Sequence, residues 1–203
     1  MSYSAEYDVY TDGGYDMSRG IGGWAYIVLS GGIEIDRSAG CIERSTNNRA
    51  ELTAIYNAII TLPVDCCVTV HTDSRYAIGV LSGGYQRKAN TDLLDEWDAM
   101  IKKRGISVRF EWVKGHSGNE YNEQCDAMCC EACGIPPGES FYEITERSIN
   151  EIKSRNDKKA RKEKKISQTK KIDDMYTMML EMRDEIDVLK RMLSDLSSSH
   201  RGK

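Results

Sequence analysis

The stretch "STNNRAELTAIYNAIITLP" (residues 45–63) decides the fold, because it indicates one amphipathic helix between two groups of strands. Its apolar residues recur at helical spacing, and Pro63 ends the pattern. Glu51 is unusual there, since its helical position borders the apolar stripe that should face the core. A carboxylate held against a core is costly unless a positive group neutralises it. The stripe consists of Leu52, Ile55, Ile59 and Leu62.

The segments around this helix predict a mixed sheet. Residues 6–14, "EYDVYTDGG", alternate like a strand, and residues 22–43 predict a hairpin that turns at Gly31 and Gly32. Three antiparallel strands should therefore precede the helix. Strands first, and then strands alternating with helices, predict an α/β (α+β mixed-sheet) domain flanked by helices. The later elements are strands in residues 66–73 and 106–115 and helices in residues 74–83, 90–105 and 120–134.

Charge divides the chain into two parts. Residues 1–152 hold 13 basic and 23 acidic residues, whereas residues 153–203 hold 15 basic and 9 acidic ones. The segment 153–171 has ten basic residues and a single strongly apolar one, so it cannot pack a core alone. We predict a catalytic domain in residues 1–138, a basic linker that is partly helical or disordered in 139–171, and a coiled coil in 172–197.

A heptad pattern distinguishes the C-terminal segment. Apolar residues fill its a and d positions over four heptads, and Glu185 and Lys190 stand where charges pair across a parallel dimer. The pattern favours a homo-oligomer, with a dimer favoured, although a Met-rich core specifies strand number weakly and leaves three or four strands open. The alternative is a helix that packs this stripe on its own domain. The seam consists of Ile172, Met175, Met179, Met182, Ile186, Leu189, Leu193 and Leu196.

The cysteines and the hydropathy favour the cytoplasm. Four of the seven cysteines fall in residues 125–133 of a predicted helix, which is poor geometry for a set of disulfides and favours thiols in a reducing compartment. Zinc is the alternative for Cys130 and Cys133, but a second ligand pair at finger spacing is missing. The start of the chain lacks the pattern of a signal peptide, and no window of about 18 apolar residues offers a membrane span. We expect a soluble, cytoplasmic protein with no membrane partner.

Four acidic residues stand at positions that suit a common site. Asp12 and Asp73 each end an apolar strand, so they converge if the strands are neighbours, although Asp after a strand is also ordinary turn chemistry. Asp126 is placed like Glu51, because it shares a helix face with the apolar cysteines at positions 129, 130 and 133. Four carboxylates form a hard oxygen site that suits Mg²⁺ or Mn²⁺. Asp12, Glu51, Asp73 and Asp126 are therefore candidate metal ligands.

Such a site predicts hydrolysis of phosphodiesters. Two ions about 3.5–4 Å apart activate a water and stabilise the leaving oxygen in an in-line displacement at phosphorus. His116 lies in a glycine-flanked loop ten residues before Asp126, where it can approach a leaving group. A lone loop histidine is more often a surface residue, but next to this cluster a functional role is favoured.

Four ordered blocks resemble type 1 ribonuclease H. The resemblance covers about Tyr7 to Cys133 and implies a ribonuclease H-like fold with a five-stranded sheet, in which the first three strands are antiparallel. It also implies an endoribonuclease that cuts the RNA strand of RNA/DNA hybrids with two Mg²⁺ ions and leaves 5′-phosphate and 3′-hydroxyl ends. Asp12, Glu51, Asp73 and Asp126 match its metal ligands, and His116 matches its mobile histidine. The blocks are "YTDGG", "TNNRAELTA", "HTDSRYA" and "WVKGHSGNEYNEQCDAMC".

The resemblance further implies contacts to the substrate. Gly13 and Glu51 would read ribose 2′-hydroxyls, which distinguish RNA from DNA. Asn47 and Asn48 would contact the minor groove of the hybrid, and Glu123 would be a further acid near the metals. The expected pocket for a phosphate of the DNA strand consists of Arg44, Thr46 and Asn90.

The chain departs from the family in its basic residues. Many bacterial members carry a basic protrusion where this chain has only Arg87 and Lys88. The basic segment 153–171 can supply that affinity for nucleic acid, or it can be a solvated linker. Two further functions stay open: a catalytically idle protein that binds or scaffolds hybrids, and a related-fold DNA nuclease. The four acids argue against the idle protein, because clustered negative charge repels phosphates.

Overall fold

The computed structural model describes residues 5–136 and 138–199. Within α5, the side chains of residues 173, 176, 180, 181 and 183–199 lie outside that description. The elements follow the predicted order. They are β1 (Glu6–Asp16), β2 (Ile21–Ser30), β3 (Ile33–Glu43), α1 (Asn47–Thr61), β4 (Cys67–Thr72), α2 (Arg75–Leu81), α3 (Thr91–Arg104), β5 (Ser107–Trp112), α4 (Glu120–Ala132) and α5 (Phe141–Ser199).

The five strands form one mixed sheet in the order β3-β2-β1-β4-β5. The hairpins join β1, β2 and β3 as antiparallel neighbours, whereas β4 lies parallel to both β1 and β5. Tyr10 of β1 pairs with His71 of β4, so the carboxyl ends of these two strands lie at the same edge. The mixed sheet predicted from the order of elements is therefore confirmed, and so are the five strands with an antiparallel first three that the resemblance implies.

Two hydrophobic cores lie on the two faces of the sheet. Successive residues of β2 alternate between them, with Tyr26 and Val28 in one core and Ala25, Ile27 and Leu29 in the other. The first core receives the predicted stripe of α1 together with α2 and α3, and the second receives α4. All four stripe residues are at most 2% exposed, so the burial of this face is as predicted.

A disulfide joins Cys41 of β3 to Cys133 at the end of α4. The expectation of free thiols is therefore wrong for these two residues, and the zinc alternative fails because Cys133 is already bonded. The reason is tertiary: α4 lies across the sheet and brings Cys133 to a strand 92 residues earlier in the chain. The five free cysteines are Cys66, Cys67, Cys125, Cys129 and Cys130.

We expect Cys41→Ser to lower the free energy of unfolding by about 2–4 kcal/mol in non-reducing buffer, because the cross-link restricts the unfolded chain. Urea unfolding of the variant should match that of the wild type in a thiol reductant, and the matched control Cys67→Ser should unfold like the wild type. Thiol titration of the denatured, non-reduced wild type should give the five thiols of the free cysteines. A count that included both Cys41 and Cys133 would contradict the cross-link.

The last helix, α5, runs through both the predicted linker and the predicted coiled coil. The chain divides into two compact units, Met1–Ile149 and Asn150–Lys203, so the first turns of α5 belong to the first unit. Every residue of the basic segment 153–171 is exposed. The first four seam residues, Ile172, Met175, Met179 and Met182, are 56–65% exposed. The side chains of Glu185, Ile186, Leu189, Lys190, Leu193 and Leu196 lie outside the described residues.

Among the helices that the structure describes, none is both long enough and apolar enough to cross a membrane.

Candidate active site

Asp12 and Asp73 meet at one edge of the sheet. β1 and β4 are parallel neighbours whose mutual pairing ends at Tyr10 and His71, and each aspartate lies two positions beyond that end. Asp12 is only 8% exposed, and Asp73 is half-buried. The backbone N–H of Gly13 donates to Oδ1 of Asp12 at 2.9 Å, which fixes that carboxylate at the strand end. The convergence expected from the two strand ends is thus observed.

Glu51 reaches the same place from α1. Its residue is 4% exposed, and its carboxylate joins those of Asp12 and Asp73 in a group whose ligand atoms all lie within 4.8 Å of one another. The approach depends on Gly13, since a Cβ at that position would collide with the backbone of Ala50 and Glu51. Among the described residues, Oε2 of Glu51 finds no hydrogen-bond partner although it is buried. A buried oxygen without a partner is costly and is ready to bind a cation.

Asp126 lines the same cavity from α4, but it lies outside this group of three. Its side chain is 22% exposed, with Oδ2 at 3.8 Å from Nδ1 of His116. The Sγ of Cys130 lies 4.0 Å from its other oxygen. The cavity has a volume of about 300 Å³ and opens to solvent above the carboxylates. The structure therefore brings all four predicted acids to one cavity.

The pKa values of all four acids in the cavity are raised, which indicates an excess of negative charge that a cation would neutralise. Burial raises the pKa of Asp12 well above its ordinary value, and the charges of Asp73 and Asp126 raise it further. Burial likewise raises the pKa of Glu51, with Asp12 and Asp73 as the next causes. The pKa values of Asp73 and Asp126 are raised by burial too, and His116 opposes that rise at both. Each acid thus resists ionisation where it stands unless positive charge is supplied.

A hard divalent cation fits this donor set. Carboxylate oxygens are the ligands that Mg²⁺, Mn²⁺ and Ca²⁺ prefer, and a bound cation would give Oε2 of Glu51 the partner that it lacks among the described residues. Among the described residues, one basic side chain comes within 4.0 Å of these four carboxylates. It is His116, which lies 3.8 Å from Asp126. One histidine cannot balance four negative charges. Asp12, Glu51 and Asp73 would hold the cation, with Asp126 beside them.

The loop between β5 and α4 brings His116 to the cavity. Its backbone has a φ of 49°, and its side chain is 55% exposed. Gly115 precedes it and allows a close approach, since a Cβ there would collide with Oδ2 of Asp73. The imidazole is therefore next to the carboxylates and still open to solvent, at the place expected for the functional histidine.

Some of the predicted substrate contacts line the cavity, and the others lie outside it near the start of α1 or of α4. Gly13 and Asn47 line the cavity. Thr46 is the N-cap of α1 and accepts a hydrogen bond from the N–H of Arg49 at 3.2 Å. Arg44 and Asn48 are exposed beside that helix start. Glu123 accepts a hydrogen bond from the N–H of Gly118 and raises the pKa of Asp126, so it lies near the site without lining the cavity.

Asn90 stands next to a basic residue that sequence reasoning missed. Arg49 of α1 forms a salt bridge with Asp92 at 2.6 Å and also donates to Oδ1 of Asn90 at 3.5 Å. Asn90 in turn donates to the hydroxyl of Tyr76 at 3.3 Å, and its φ of 55° keeps its side chain from capping α3. Arg49 therefore contacts two residues of the expected phosphate pocket, Thr46 and Asn90.

A second missed set comes from the start of α5, where Phe141, Tyr142 and Thr145 line the cavity. The prediction placed these residues in a linker. A signal was present, because Ser140 and Glu143 form a capping box: the N–H of each residue donates to the side chain of the other, at 3.1 and 3.2 Å. This S-x-x-E pattern, with Phe141 and Tyr142 at its two middle positions, marks a helix start.

Known proteins resemble the first two thirds of the chain. A protein-family model described as RNase H matches residues 4–133. The protein named Ribonuclease H from Polaromonas naphthalenivorans (strain CJ2) is 35% identical over 133 residues, which cover 59% of this chain and 82% of the relative. Its namesake from Chlorobium chlorochromatii (strain CaD3) is 36% identical over 136 residues, which cover 61% and 92%.

Solved structures show the same fold. A crystal structure of LC11-RNase H1 in complex with RNA/DNA hybrid matches with a TM-score of 0.55 and 23% identity, and the match covers 63% of this chain and 99% of that one. At this identity the likeness shows the fold alone. The matched family region ends at residue 133, so it leaves α5 without a counterpart in the family model.

Proposed function

Because the chain belongs to the RNase H family, we propose that it is an endonuclease that hydrolyses the RNA strand of RNA/DNA hybrids. One observation carries the proposal: three buried or half-buried carboxylates, from Asp12, Glu51 and Asp73, lie within 4.8 Å of one another. Among the described residues, the ion pair at this cavity joins His116 to Asp126 and not to any of these three. A protein that only binds nucleic acid gains nothing from this arrangement, because it repels phosphates. The proposed substrate is also the nucleic acid bound in the complex of LC11-RNase H1.

We assign Asp12, Glu51, Asp73 and Asp126 as the ligands of two Mg²⁺ ions, with Mn²⁺ as the alternative. When bound, such ions activate a water for in-line attack at phosphorus and stabilise the leaving 3′-oxygen, which leaves 5′-phosphate and 3′-hydroxyl ends. These carboxylates would hold the ions at the edge of the sheet, where Oε2 of Glu51 has no hydrogen-bond partner among the described residues. Glu51 and Gly13 also line the cavity where a ribose 2′-hydroxyl would lie.

His116 delivers the proton to the leaving oxygen in this proposal. Its Nδ1 faces Oδ2 of Asp126 at 3.8 Å, which leaves Nε2 as the atom that donates. The side chain of His116 is 55% exposed, so the ring can reach a bound substrate. Asn47 and Asn48 at the start of α1 contact the minor groove, and Arg44, Thr46, Arg49 and Asn90 hold a phosphate of the DNA strand.

Cleavage of matched duplexes tests the function. The wild type in Mg²⁺ should cut the RNA strand of an RNA/DNA hybrid and leave RNA/RNA and DNA/DNA duplexes of the same sequence intact. Cutting of DNA/DNA would instead favour a related-fold DNA nuclease. Tight binding of the hybrid without any cutting would favour the catalytically idle scaffold.

The tail supplies both a partner interface and positive charge in this proposal. A second copy of the chain covers the exposed apolar seam that begins at Ile172, as a two-stranded coiled coil over residues 172–197. The dimer then presents two basic segments, 153–171, to the same hybrid. This arrangement offsets the acidic charge of the catalytic domain, which has only Arg87 and Lys88 where a basic protrusion is common. We keep the cytoplasm as the proposed location on the five free cysteines, although the Cys41–Cys133 disulfide argues for a less reducing compartment.

Deletion of residues 153–203 should give a monomer that binds hybrid more weakly and with less salt dependence. The slope of log Kd against log salt should fall by about 0.9 for each phosphate that the shortened protein no longer neutralises. Sedimentation and fluorescence anisotropy in a metal chelator measure both properties without cleavage. Deletion of residues 172–203 is the matched control, because it should give a monomer that keeps one basic segment and therefore a salt dependence between those of the longer deletion and the wild type. Unchanged mass and affinity after the longer deletion would contradict this role.

A further inference from the structure

The first turn of α5 is anchored beside the cavity by Phe141. Gly14 of β1 and Gly23 of β2 are directly paired residues of these two adjacent strands. A Cβ at either glycine would overlap the ring of Phe141, so the ring occupies the space that the two missing side chains leave. Phe141 is 4% exposed and belongs to the core beneath α4. The start of α5 is therefore held against the strand that carries Asp12.

Two polar contacts fix the rotation of this helix turn. The hydroxyl of Thr145 donates to the backbone carbonyl of Tyr15 at 3.0 Å, one turn after Phe141. The capping box of Ser140 and Glu143 closes the N-terminus. Phe141 packs on β1 and β2, and Thr145 bonds to β1, so both residues fix the orientation of the helix. In this orientation Tyr142 lines the cavity together with His116 and Asp126.

His116 needs support that its own loop does not give. Its ring is more than half exposed, and it lies between Gly115 and Gly118 on a backbone with positive φ. The described contacts of the ring are with Asp126, at 3.8 Å, and with Tyr142. The centroids of His116 and Tyr142 are 5.7 Å apart and their planes are tilted by 55°, a geometry typical of aromatic pairs. The hydroxyl of Tyr142 donates to Oε1 of Glu146 at 2.8 Å, which steadies the tyrosine.

We propose that Tyr142 is a positioning residue, whose ring holds the imidazole of His116 at the leaving-group side of the cavity. The inference rests on the proposed function, because the proton transfer by His116 is part of it. α5 then begins as an added wall of the active site before it continues as the tail. Tyr142 acts through the contact of its ring with the imidazole, so the phenol oxygen is not required for this role.

Turnover of the full-length protein on an RNA/DNA hybrid tests this role. Tyr142→Ala and Tyr142→Leu should each lower kcat about tenfold, a part of the effect of a general acid, with KM little changed. Tyr142→Phe should restore kcat, because it keeps the ring. Ile149→Ala, an exposed position later on the same helix, should behave like the wild type. A rise in KM with unchanged kcat, or a Phe variant as slow as the Ala variant, would overturn the proposal.

Coupling to His116 separates positioning from a general structural effect. In a His116→Ala background, Tyr142→Ala should cause no further loss of kcat; a full tenfold loss there would overturn the proposal. Proton NMR of the metal-free protein gives a readout without cleavage. The ring-current shift on the His116 imidazole protons should disappear in Tyr142→Leu and persist in Tyr142→Phe, and unchanged shifts in the Leu variant would contradict the contact. A wild type that cuts no hybrid would refute the proposed function alone, since the NMR result stands by itself.

Discussion

Asp12→Asn should abolish cleavage of the hybrid while making the metal-free protein more stable. The substitution removes one carboxylate from a group of three within 4.8 Å, so the site loses both a ligand and a negative charge. The loss of several kcal/mol of transition-state stabilisation corresponds to a rate at least about a thousandfold lower. Steady-state cleavage in Mg²⁺ measures this loss.

The expected gain in stability follows from the raised pKa values. A carboxylate whose folded pKa lies above its unfolded value destabilises the fold as pH rises through that interval, and the full cost is present once it is ionised. Burial and neighbouring acids raise the pKa of Asp12 in this way, so at neutral pH the neutral Asn should raise the metal-free stability by on the order of 1 kcal/mol or more. Thermal unfolding in a chelator measures the change.

Mg²⁺ and a matched variant control for this result. Mg²⁺ should raise the melting temperature of the wild type and have little effect on Asp12→Asn, because a ligand stabilises only the state that binds it. Asp95→Asn makes the same chemical change at an exposed position of α3 and should cleave at the wild-type rate. If Asp12→Asn cleaved normally, or lost stability in the chelator, then Asp12, Glu51 and Asp73 would not form a metal site whose negative charges destabilise the metal-free protein.

Gly13→Ala should disrupt both the fold and the site. A Cβ at Gly13 would lie 2.6 Å from the carbonyl carbon of Ala50 and 2.7 Å from the Cα of Glu51, so β1 and α1 must move apart. We expect the free energy of unfolding to fall by about 3 kcal/mol, at the upper end of overpacking effects. Because the movement displaces Glu51, cleavage should fall by about 100-fold in the protein that still folds.

Gly84→Ala is the matched control for this steric argument. Its Cβ would meet only ordinary contacts, at 3.6 Å from the carbonyl oxygen of Gly79 and 3.9 Å from the hydroxyl of Ser82. Urea unfolding should therefore leave it close to the wild type. Equal stability and activity of the Gly13 and Gly84 variants would show that the contact between β1 and α1 does not set the position of Glu51.

Local sequence patterns were sufficient to predict the helices and strands of the catalytic domain and which of them carries each of the four acids. Periodicity placed Glu51 at the border of a buried stripe, and strand ends placed Asp12 and Asp73 at one edge. The distance of Asp126 from the other three could not be predicted, because it depends on how α4 packs on the sheet. The Cys41–Cys133 disulfide depends on the same packing across 92 residues of chain.

The start of α5 shows why the rest of the site escaped prediction. The slot for Phe141 exists only because the register of β1 and β2 sets Gly14 opposite Gly23, and periodicity within one segment does not reveal register. The predicted catalytic domain ended at residue 138, so the predicted linker covered a helix start that Ser140 and Glu143 cap. Tyr142 was consequently assigned to the linker although it lines the cavity.

The central claim is that the four carboxylates bind the metal ions that hydrolyse the RNA strand of a hybrid. End-group analysis of one labelled RNA/DNA hybrid, incubated with the full-length protein in Mg²⁺ and in a chelator, tests it most directly. We predict RNA fragments with 5′-phosphate and 3′-hydroxyl ends in Mg²⁺ and intact RNA in the chelator. Intact RNA in Mg²⁺, cleavage in the chelator, or fragments with 2′,3′-cyclic phosphate ends would contradict the claim.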